Sequence, residues 1–307
     1  MRVAITFPGQ GTQSPGMGRP WRDHVAWRVV TDAEAALGEP LAPLLLDADA
    51  DALGRTRNAQ LSVLLTSLVA WEAHGEAIAK HHDVVAFAGH SLGQVTALIA
   101  SGVLSVGDGV RFAARRAELT QRAADSHPGK MAALLGASPE TAVAACAGVG
   151  DAWVANDNAP GQVVIAGTPQ GVDAAIEAAK AHGVKRALPL PVGGAFHTPL
   201  MRDARAGLVA ALSDIEFAAP SAPIVSNADA CAHDDSTAWR ERLADHPLLP
   251  VRWRESMLVL SSAPLGAAAF FEIGHGAMVA GVARRTVPDV RVIAIDEPES
   301  DTRITSM

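Results

Sequence analysis

The chain has 307 residues, enough for a large core in one domain or in two unequal ones. About half of it is hydrophobic, chiefly Ala, Val and Leu with 7 Phe and no Tyr, which suits helices packed on a parallel sheet and not disorder. With 33 acidic and 25 basic residues the net charge is −8, which argues against a nucleic-acid partner, and polar residues interrupt every apolar run too early for a membrane span.

Cys146 and Cys231 are the only cysteines, far apart and in no C-x-x-C pattern. Neither a disulfide nor a thiolate metal site is expected, as for a reduced cytoplasmic enzyme. Met1–Phe7 lacks the long apolar core and small-residue cleavage signal of a secretory leader. These features lead us to expect a soluble, cytoplasmic protein.

Arg2–Phe7 reads as a short buried strand, followed by a Gly-rich turn over Pro8–Gln13. Two glycines there allow successive backbone N–H groups to form an anion nest, but neither G-x-G-x-x-G nor a Walker lysine is present. Over Ala59–Ala79, Leu61, Leu64, Leu65, Leu68, Val69 and Trp71 recur at helical spacing, which predicts a buried helix. Val84–Ala88 is a second strand. It runs into Gly89-His90-Ser91-Leu92-Gly93, a G-x-S-x-G elbow, and then into a helix over about Gln94–Gly102. In that strand–turn–helix setting the glycines permit a sharp turn that exposes the Ser91 hydroxyl. An oxyanion formed there would lie beside the Leu92 N–H, at the start of the helix. The His90 ring, within the turn itself, cannot easily reach Ser91.

A helix over Val106–Ala124 follows. Arg111, Arg115, Glu118 and Arg122 share one solvated face, whereas Arg116 lies on the opposite side with Phe112, Ala113, Leu119 and Thr120. An arginine on an apolar face is costly without an anionic partner. Two partners fit the pattern: an internal Asp or Glu, or a substrate carboxylate gripped by two parallel hydrogen bonds.

From Lys130 the texture changes. A strand (Met131–Leu135), a helix (Pro139–Ala147, with Ser138 as N-cap), strands (Ala152–Ala155 and Val163–Gly167), a helix (Pro169–Ala181) and a strand (Lys185–Leu190) follow in turn. This β-α-β-β-α-β order is the ferredoxin-like signature. It predicts a small subdomain at 128–193 inserted into an α/β body formed by 1–127 and 194–307. Strands are also expected at 223–226, 269–273 and 291–295, and a loose tail at 297–307.

A serine nucleophile needs a base within hydrogen-bond reach, and 11 histidines compete for the role. His24, His74, His81, His82, His127, His182 and His233 sit in polar or loop-like surroundings and are expected to face solvent; His275, between two glycines, reads as a turn residue. His197 lies in Gly193–Met201, where the chain returns from the insert to the body, and such crossings form clefts. Its position fits a base for Ser91 and equally a cap for a helix beginning at Pro199.

Taken together, the motifs FPGQGTQ (Phe7–Gln13), GHSLG (Gly89–Gly93), NDNAPGQ (Asn156–Gln162), GAFHTPLM (Gly194–Met201) and PVRW (Pro250–Trp253) carry a resemblance along almost the whole chain. The chain resembles the malonyl-CoA:acyl carrier protein transacylases, the fatty-acid and polyketide acyltransferase family. The resemblance implies an α/β hydrolase-like body with a ferredoxin-like insert. It implies Ser91 as the acylated nucleophile, His197 as its base, and the Gln10 and Leu92 N–H groups as the oxyanion hole. Arg116 would bind the malonyl carboxylate, with Gln60, Phe196 and His90 lining the substrate pocket; Phe196 stands where malonyl-selective members carry Phe and methylmalonyl-selective members Ser. His246 would orient the base through its backbone carbonyl.

The chain departs from the family pattern at Gln94, usually Glu, at His246, usually Gln or Asn, and at Thr120, usually Met. Thr120 is expected to enlarge or polarise the acyl pocket. The implied substrates are malonyl-CoA, a coenzyme A thioester, and a phosphopantetheinylated acyl carrier protein. No cofactor, metal or membrane is implied, and a monomer is expected. Rival readings are an acyl hydrolase or proofreading enzyme, the transacylase subunit of a malonate decarboxylase, a stand-alone acyltransferase for another acyl group, and a binding module with a decayed site. Arg116 argues against unloading of neutral acyl chains, and the retained Ser91, His197 and Arg116 argue against decay.

Overall fold

The computed structural model describes residues 1–306, and Met307 lies outside the described residues. Ten strands form two sheets: β1 (Arg2–Phe7), β2 (Asp83–Gly89), β3 (Lys130–Leu135), β4 (Ala152–Ala159), β5 (Gln162–Gly167), β6 (Arg186–Pro189), β7 (Ile224–Val225), β8 (Ala232–His233), β9 (Ala269–Ile273) and β10 (Arg291–Ile295). The first sheet has the order β10-β9-β1-β2-β7-β8 and is parallel except for β8. The second, with the order β4-β5-β3-β6, is antiparallel throughout. The fold class is α/β.

Central strands of a parallel sheet are covered on both faces, so they read as unbroken apolar runs. Val3, Ala4, Ile5 and Phe7 of β1 and Ala86, Phe87 and Ala88 of β2 are accordingly all buried. The helix Thr56–His81 is buried through most of its first four turns, as its apolar spacing predicts, and forms part of the main core with Phe7, Phe87 and Trp71. In the second sheet the strand order is the ferredoxin-like one, and Ala132, Leu134, Val163 and Ile165 form a separate core with the helices Pro139–Ala147 and Pro169–Ala181. Ser138 caps the first of these helices, accepting a bond from the Thr141 N–H at 3.2 Å.

Backbone and side-chain bonds tie the small sheet to the body. The Val251 N–H donates to the Ala155 carbonyl at 2.8 Å, and the Asp157 N–H donates to the Val251 carbonyl at 2.9 Å. Arg254 reaches back to the Asp157 carboxylate at 2.8 Å. These bonds hold β4 against the loop that precedes the helix Trp253–Ser261.

Three expectations are corrected. The tail is not loose: residues Asp301–Thr305 form a short helix and Ile304 is fully buried in the main core. His74 and His82, expected in solvent, are buried and hold that tail. His74 bonds to the Asp301 carboxylate at 2.8 Å and the Glu297 carbonyl at 3.0 Å, and His82 Nε2 to the Ile304 carbonyl at 2.9 Å. Five residues with a single aliphatic side chain carry too little periodicity to announce a helix, so the sequence pattern is silent where long-range docking decides. The third correction concerns helices at Arg28–Leu37, Arg205–Leu212, Trp253–Ser261 and Met278–Thr286, which sequence reasoning left unassigned.

If the tail is part of the core, Ile304→Ala should lower the unfolding free energy by about 2–5 kcal/mol, the usual cost of emptying a buried aliphatic site. Urea denaturation checks this, and a change below about 0.5 kcal/mol, typical of surface sites, would return the tail to the surface.

Candidate active site

The elbow sits where β2 ends. Ser91 has φ 50°, a left-handed conformation that a residue with a side chain holds only under constraint. Close packing needs glycine on either side of it. A Cβ on Gly89 would lie 1.9 Å from the Gly93 carbonyl oxygen, and one on Gly93 would lie 2.5 Å from the Phe7 carbonyl oxygen. The loop after β1 and the start of the helix Gly93–Ala100 therefore press against each other with Ser91 at the crest.

Ser91 Oγ lies 2.7 Å from His197 Nε2. His197 Nδ1 faces two acceptors, the carbonyl oxygens of His246 at 3.1 Å and Leu249 at 3.0 Å. Carbonyls only accept, so Nδ1 carries the proton and Nε2 presents its lone pair to the serine hydroxyl. The His197 N–H donates to the Pro247 carbonyl at 2.8 Å, which fixes the residue in its own left-handed conformation, φ 62°. The capping role that His197 could have filled belongs to Thr198, which accepts from the Leu200 N–H at the start of the 3-10 helix Pro199–Ala204.

Arg116 is buried and points at the same place. Its Nη1 donates to Gln60 Oε1 at 2.7 Å, its Nη2 lies 3.4 Å from Ser91 Oγ, and its Nε has no partner. Among the described residues no carboxylate pairs with it. The internal salt bridge is thereby removed as its explanation. Burial lowers the guanidinium pKa to about 10, which leaves it a cation at neutral pH. Burial, the Arg116 cation and His90 in turn push the His197 imidazole down to about 3, opposed by its two backbone carbonyls.

The other expected residues gather around the same cavity of about 270 Å³. Gln10, Gln60, His90, Leu92 and Phe196 line it, and β3, β5 and the chain after β6 add an apolar wall of Met131, Ala133, Val164, Leu190 and Val192. Neither the Gln10 nor the Leu92 N–H has a hydrogen-bond partner among the described residues, so both are free to bind an anion. The His90 ring makes no hydrogen bond to Ser91; its Nε2 bonds to Asn158 Oδ1 at 2.8 Å, and burial lowers its pKa. The His246 carbonyl accepts from His197 Nδ1.

Thr120 corrects an expectation. Its hydroxyl donates to the Arg116 carbonyl at 2.8 Å within its own helix, and it is absent from the cavity wall. Its hydroxyl therefore does not polarise the pocket. Sequence reasoning also missed Asn227 and Leu249. Asn227, fully buried on the chain after β7, bonds to the Ser91 N–H, and the Leu249 carbonyl holds the base. A backbone carbonyl has no sequence signal, and nothing in the pattern around Asn227 marks it as part of a site.

Among the described residues no group of His, Cys, Asp and Glu is arranged to hold a metal ion, and no helix is long and apolar enough to cross a membrane. Residues 5–300 match the acyl transferase domain family. The chain is 35% identical to the malonyl CoA-acyl carrier protein transacylase of Bacillus subtilis (strain 168) over 305 residues, covering 97% of this chain and 95% of that protein. The acyl-carrier-protein S-malonyltransferase of Burkholderia pseudomallei 1710b superposes with a TM-score of 0.93 at 35% identity over 100% of both chains. A type II PKS acyl-carrier protein in complex with its malonyl-transacylase gives a TM-score of 0.93 at 32% identity, over 100% of this chain and 99% of that one. Motif order, fold and full-length coverage agree, and the chain belongs to the acyl transferase domain family.

Proposed function

We propose that the protein moves a malonyl group from malonyl-CoA to the phosphopantetheine thiol of an acyl carrier protein, through a malonyl-serine intermediate, in fatty-acid or polyketide synthesis. The observation that carries the malonyl assignment is the buried Arg116 guanidinium, without a carboxylate partner, 3.4 Å from the Ser91 hydroxyl. A buried cation left unpaired is expensive, and a carboxylate on the substrate supplies the missing partner.

In the first half-reaction Ser91 Oγ gives its proton to His197 Nε2 and attacks the thioester carbonyl. The oxyanion takes hydrogen bonds from the Gln10 and Leu92 N–H groups. As the tetrahedral intermediate collapses, the C–S bond breaks and His197 returns the proton to the departing coenzyme A sulfur. The malonyl carboxylate then rests on Arg116 beside Gln60. In the second half-reaction the carrier thiol gives its proton to His197, attacks the ester and releases Ser91, which recovers the proton. Phe196 and the apolar wall from the small sheet limit the width of the acyl site and keep water from the ester.

The same reading treats 128–193 as an inserted subdomain that closes over a body formed by 1–127 and 194–307. It places the enzyme in the cytoplasm as a monomer without a resident cofactor, because a soluble thioester brings the acyl group, a carrier thiol takes it, and the chain's own side chains supply every proton transfer.

Substrate binding also tunes the base. In the free enzyme Arg116 helps hold His197 below the ordinary histidine value; a carboxylate on Arg116 cancels much of that field and lets the imidazole become more basic. A lowered pKa means that the neutral, competent imidazole persists to lower pH. The acid limb of kcat/KM for malonyl-CoA should therefore lie below pH 6.5, the ordinary histidine value. The limb of kcat, which reports the enzyme–substrate complex, should lie higher than that of kcat/KM. Stopped-flow rates from about pH 3 to about pH 8 check both, and a kcat limb no higher than that of kcat/KM would remove Arg116 from the tuning of the base.

Intact-mass analysis tests the function itself. Incubation with malonyl-CoA should add one malonyl group, and Ser91→Ala should abolish the adduct. Arg116→Ala should cost malonyl transfer about 2–5 kcal/mol by stranding the substrate carboxylate, while acetyl transfer is kept or improved. Arg115→Ala, which breaks only a surface pair with Glu118, should change neither. An equal loss for both substrates in Arg116→Ala would make Arg116 structural.

A further inference from the structure

One side chain outside the family of expected residues bonds both to the nucleophile elbow and to a residue of the segment that orients the base. Asn227 is fully buried, and the hydrogen bonds of its side chain all go to the site. Its Oδ1 accepts from the Ser91 N–H at 2.8 Å, and its Nδ2 donates to the Gly89 carbonyl at 2.9 Å, so the side chain brackets the elbow on both sides of His90. Its own N–H donates to Gln94 Oε1 at 2.7 Å, and its carbonyl accepts from the Arg252 N–H at 2.9 Å. The orientation of the amide is thus set by its neighbours: the oxygen faces a donor and the nitrogen faces an acceptor.

Oδ1 has a second donor. His246 Nε2 lies 3.2 Å away, and an amide oxygen can only accept, so His246 carries its proton on Nε2. The remaining nitrogen, Nδ1, is buried without a partner. Burial, His197, Arg116 and His90 all keep this ring neutral. Meanwhile the backbone of the same segment holds the base: the His246 and Leu249 carbonyls accept from His197 Nδ1, and the Pro247 carbonyl accepts from its N–H. A continuous path therefore runs from the Ser91 main chain, through Asn227 Oδ1 and the His246 imidazole, to the His246–Leu249 segment whose carbonyls hold His197.

We propose that Asn227 is a positioning residue that locks the nucleophile elbow to the His246–Leu249 loop and so sets the Ser91–His197 distance, with His246 acting as the side-chain donor that completes the lock. The proposal rests on Ser91 and His197 being nucleophile and base. Two constraints require such a lock. Ser91 and His197 both hold left-handed backbone conformations, each of which relaxes unless its surroundings over-determine it. The two residues also come from separate segments of the body, so no single turn of chain fixes their separation. Gln94 belongs to the same arrangement. Its side-chain oxygen accepts from the Asn227 N–H, and an amide does so as well as a carboxylate without burying a negative charge beside the base.

A double-mutant cycle tests the proposal, with single-turnover malonylation followed by intact mass on the full chain. In the unsubstituted background, Asn227→Ala should lower the maximal acylation rate by about 10²-fold, the penalty for misplacing reacting groups by roughly 1 Å. The malonyl-CoA concentration for half-maximal rate should stay within about threefold, because Asn227 touches neither Arg116 nor Gln60. With His197→Ala already present there is no pair left to align, so adding Asn227→Ala should cost less than about threefold more. The same fold loss in both backgrounds would show that Asn227 only supports the scaffold and would overturn the proposal. A second arm does not depend on that variant folding. His246→Gln keeps a side-chain N–H for Asn227, whereas His246→Leu does not, and the Leu variant should acylate at least about 10-fold more slowly than the Gln variant. Equal rates for the two would also overturn it. Failure of the functional reading is separately visible, because the unsubstituted chain would then form no malonyl adduct at all.

Discussion

Everything at this site depends on a serine held in a backbone conformation that serine does not favour. At φ 50° the Ser91 hydroxyl stands clear of both the strand it leaves and the helix it enters, with the Leu92 N–H beside it. Such a turn has no room for a side chain at Gly89 or Gly93. Packing at Gly93 brings the loop after β1 into contact with the elbow, and that contact delivers Gln10 to the cavity. The conformation is not self-sustaining. It persists because hydrogen bonds from Asn227 clasp the chain on either side of His90, and because the neighbouring strands of a parallel sheet leave it nowhere to relax.

The second organising feature is a cation without a counter-ion. Arg116 is buried among apolar residues of its helix, steadied by Gln60 and the Ser91 hydroxyl, and its field reaches His197 and His246. In an enclosed site a charge acts over a longer distance than in water. An empty site of this kind is poised for an anion: it holds its imidazoles neutral and leaves a guanidinium to be satisfied. The cost falls on the stability of the free protein, and active sites commonly carry such a cost in exchange for selectivity.

The small sheet supplies what the body lacks. The first sheet and its helices bring together the nucleophile, base, oxyanion donors and cation, but the apolar side of the cavity comes from Met131, Ala133 and Val164 on β3 and β5. Its position over Ser91 is held by the short ladder between β4 and Val251 and by the Arg254–Asp157 ion pair. Because Val251 lies only a few residues beyond the loop that orients His197, the geometry of the base and the attachment of the wall share one segment of chain.

Much of this was legible in the residues themselves. Continuous apolar runs marked most of the strands, since burial on the faces of a sheet demands them, and helical spacing over Ala59–Ala79 and Val106–Ala124 marked the helices Thr56–His81 and Val106–Ser126. The elbow was legible because its glycines are a steric necessity, and Arg116 because a charge on an apolar face is an anomaly visible in any helical projection. What sequence could not decide were questions of partnership. Whether Arg116 meets an internal carboxylate or remains open, and whether His197 caps a helix or faces Ser91, depends on residues brought near from distant segments. Asn227, the Leu249 carbonyl and the docking of Ile304 left no local trace, because a hydrogen bond between segments 52 to 222 residues apart imposes no pattern on either one. Sequence alone determined the elements and the chemical groups available to the site; tertiary structure decided which groups meet, because distance and burial, which set hydrogen bonding and charge, exist only once the chain has closed on itself.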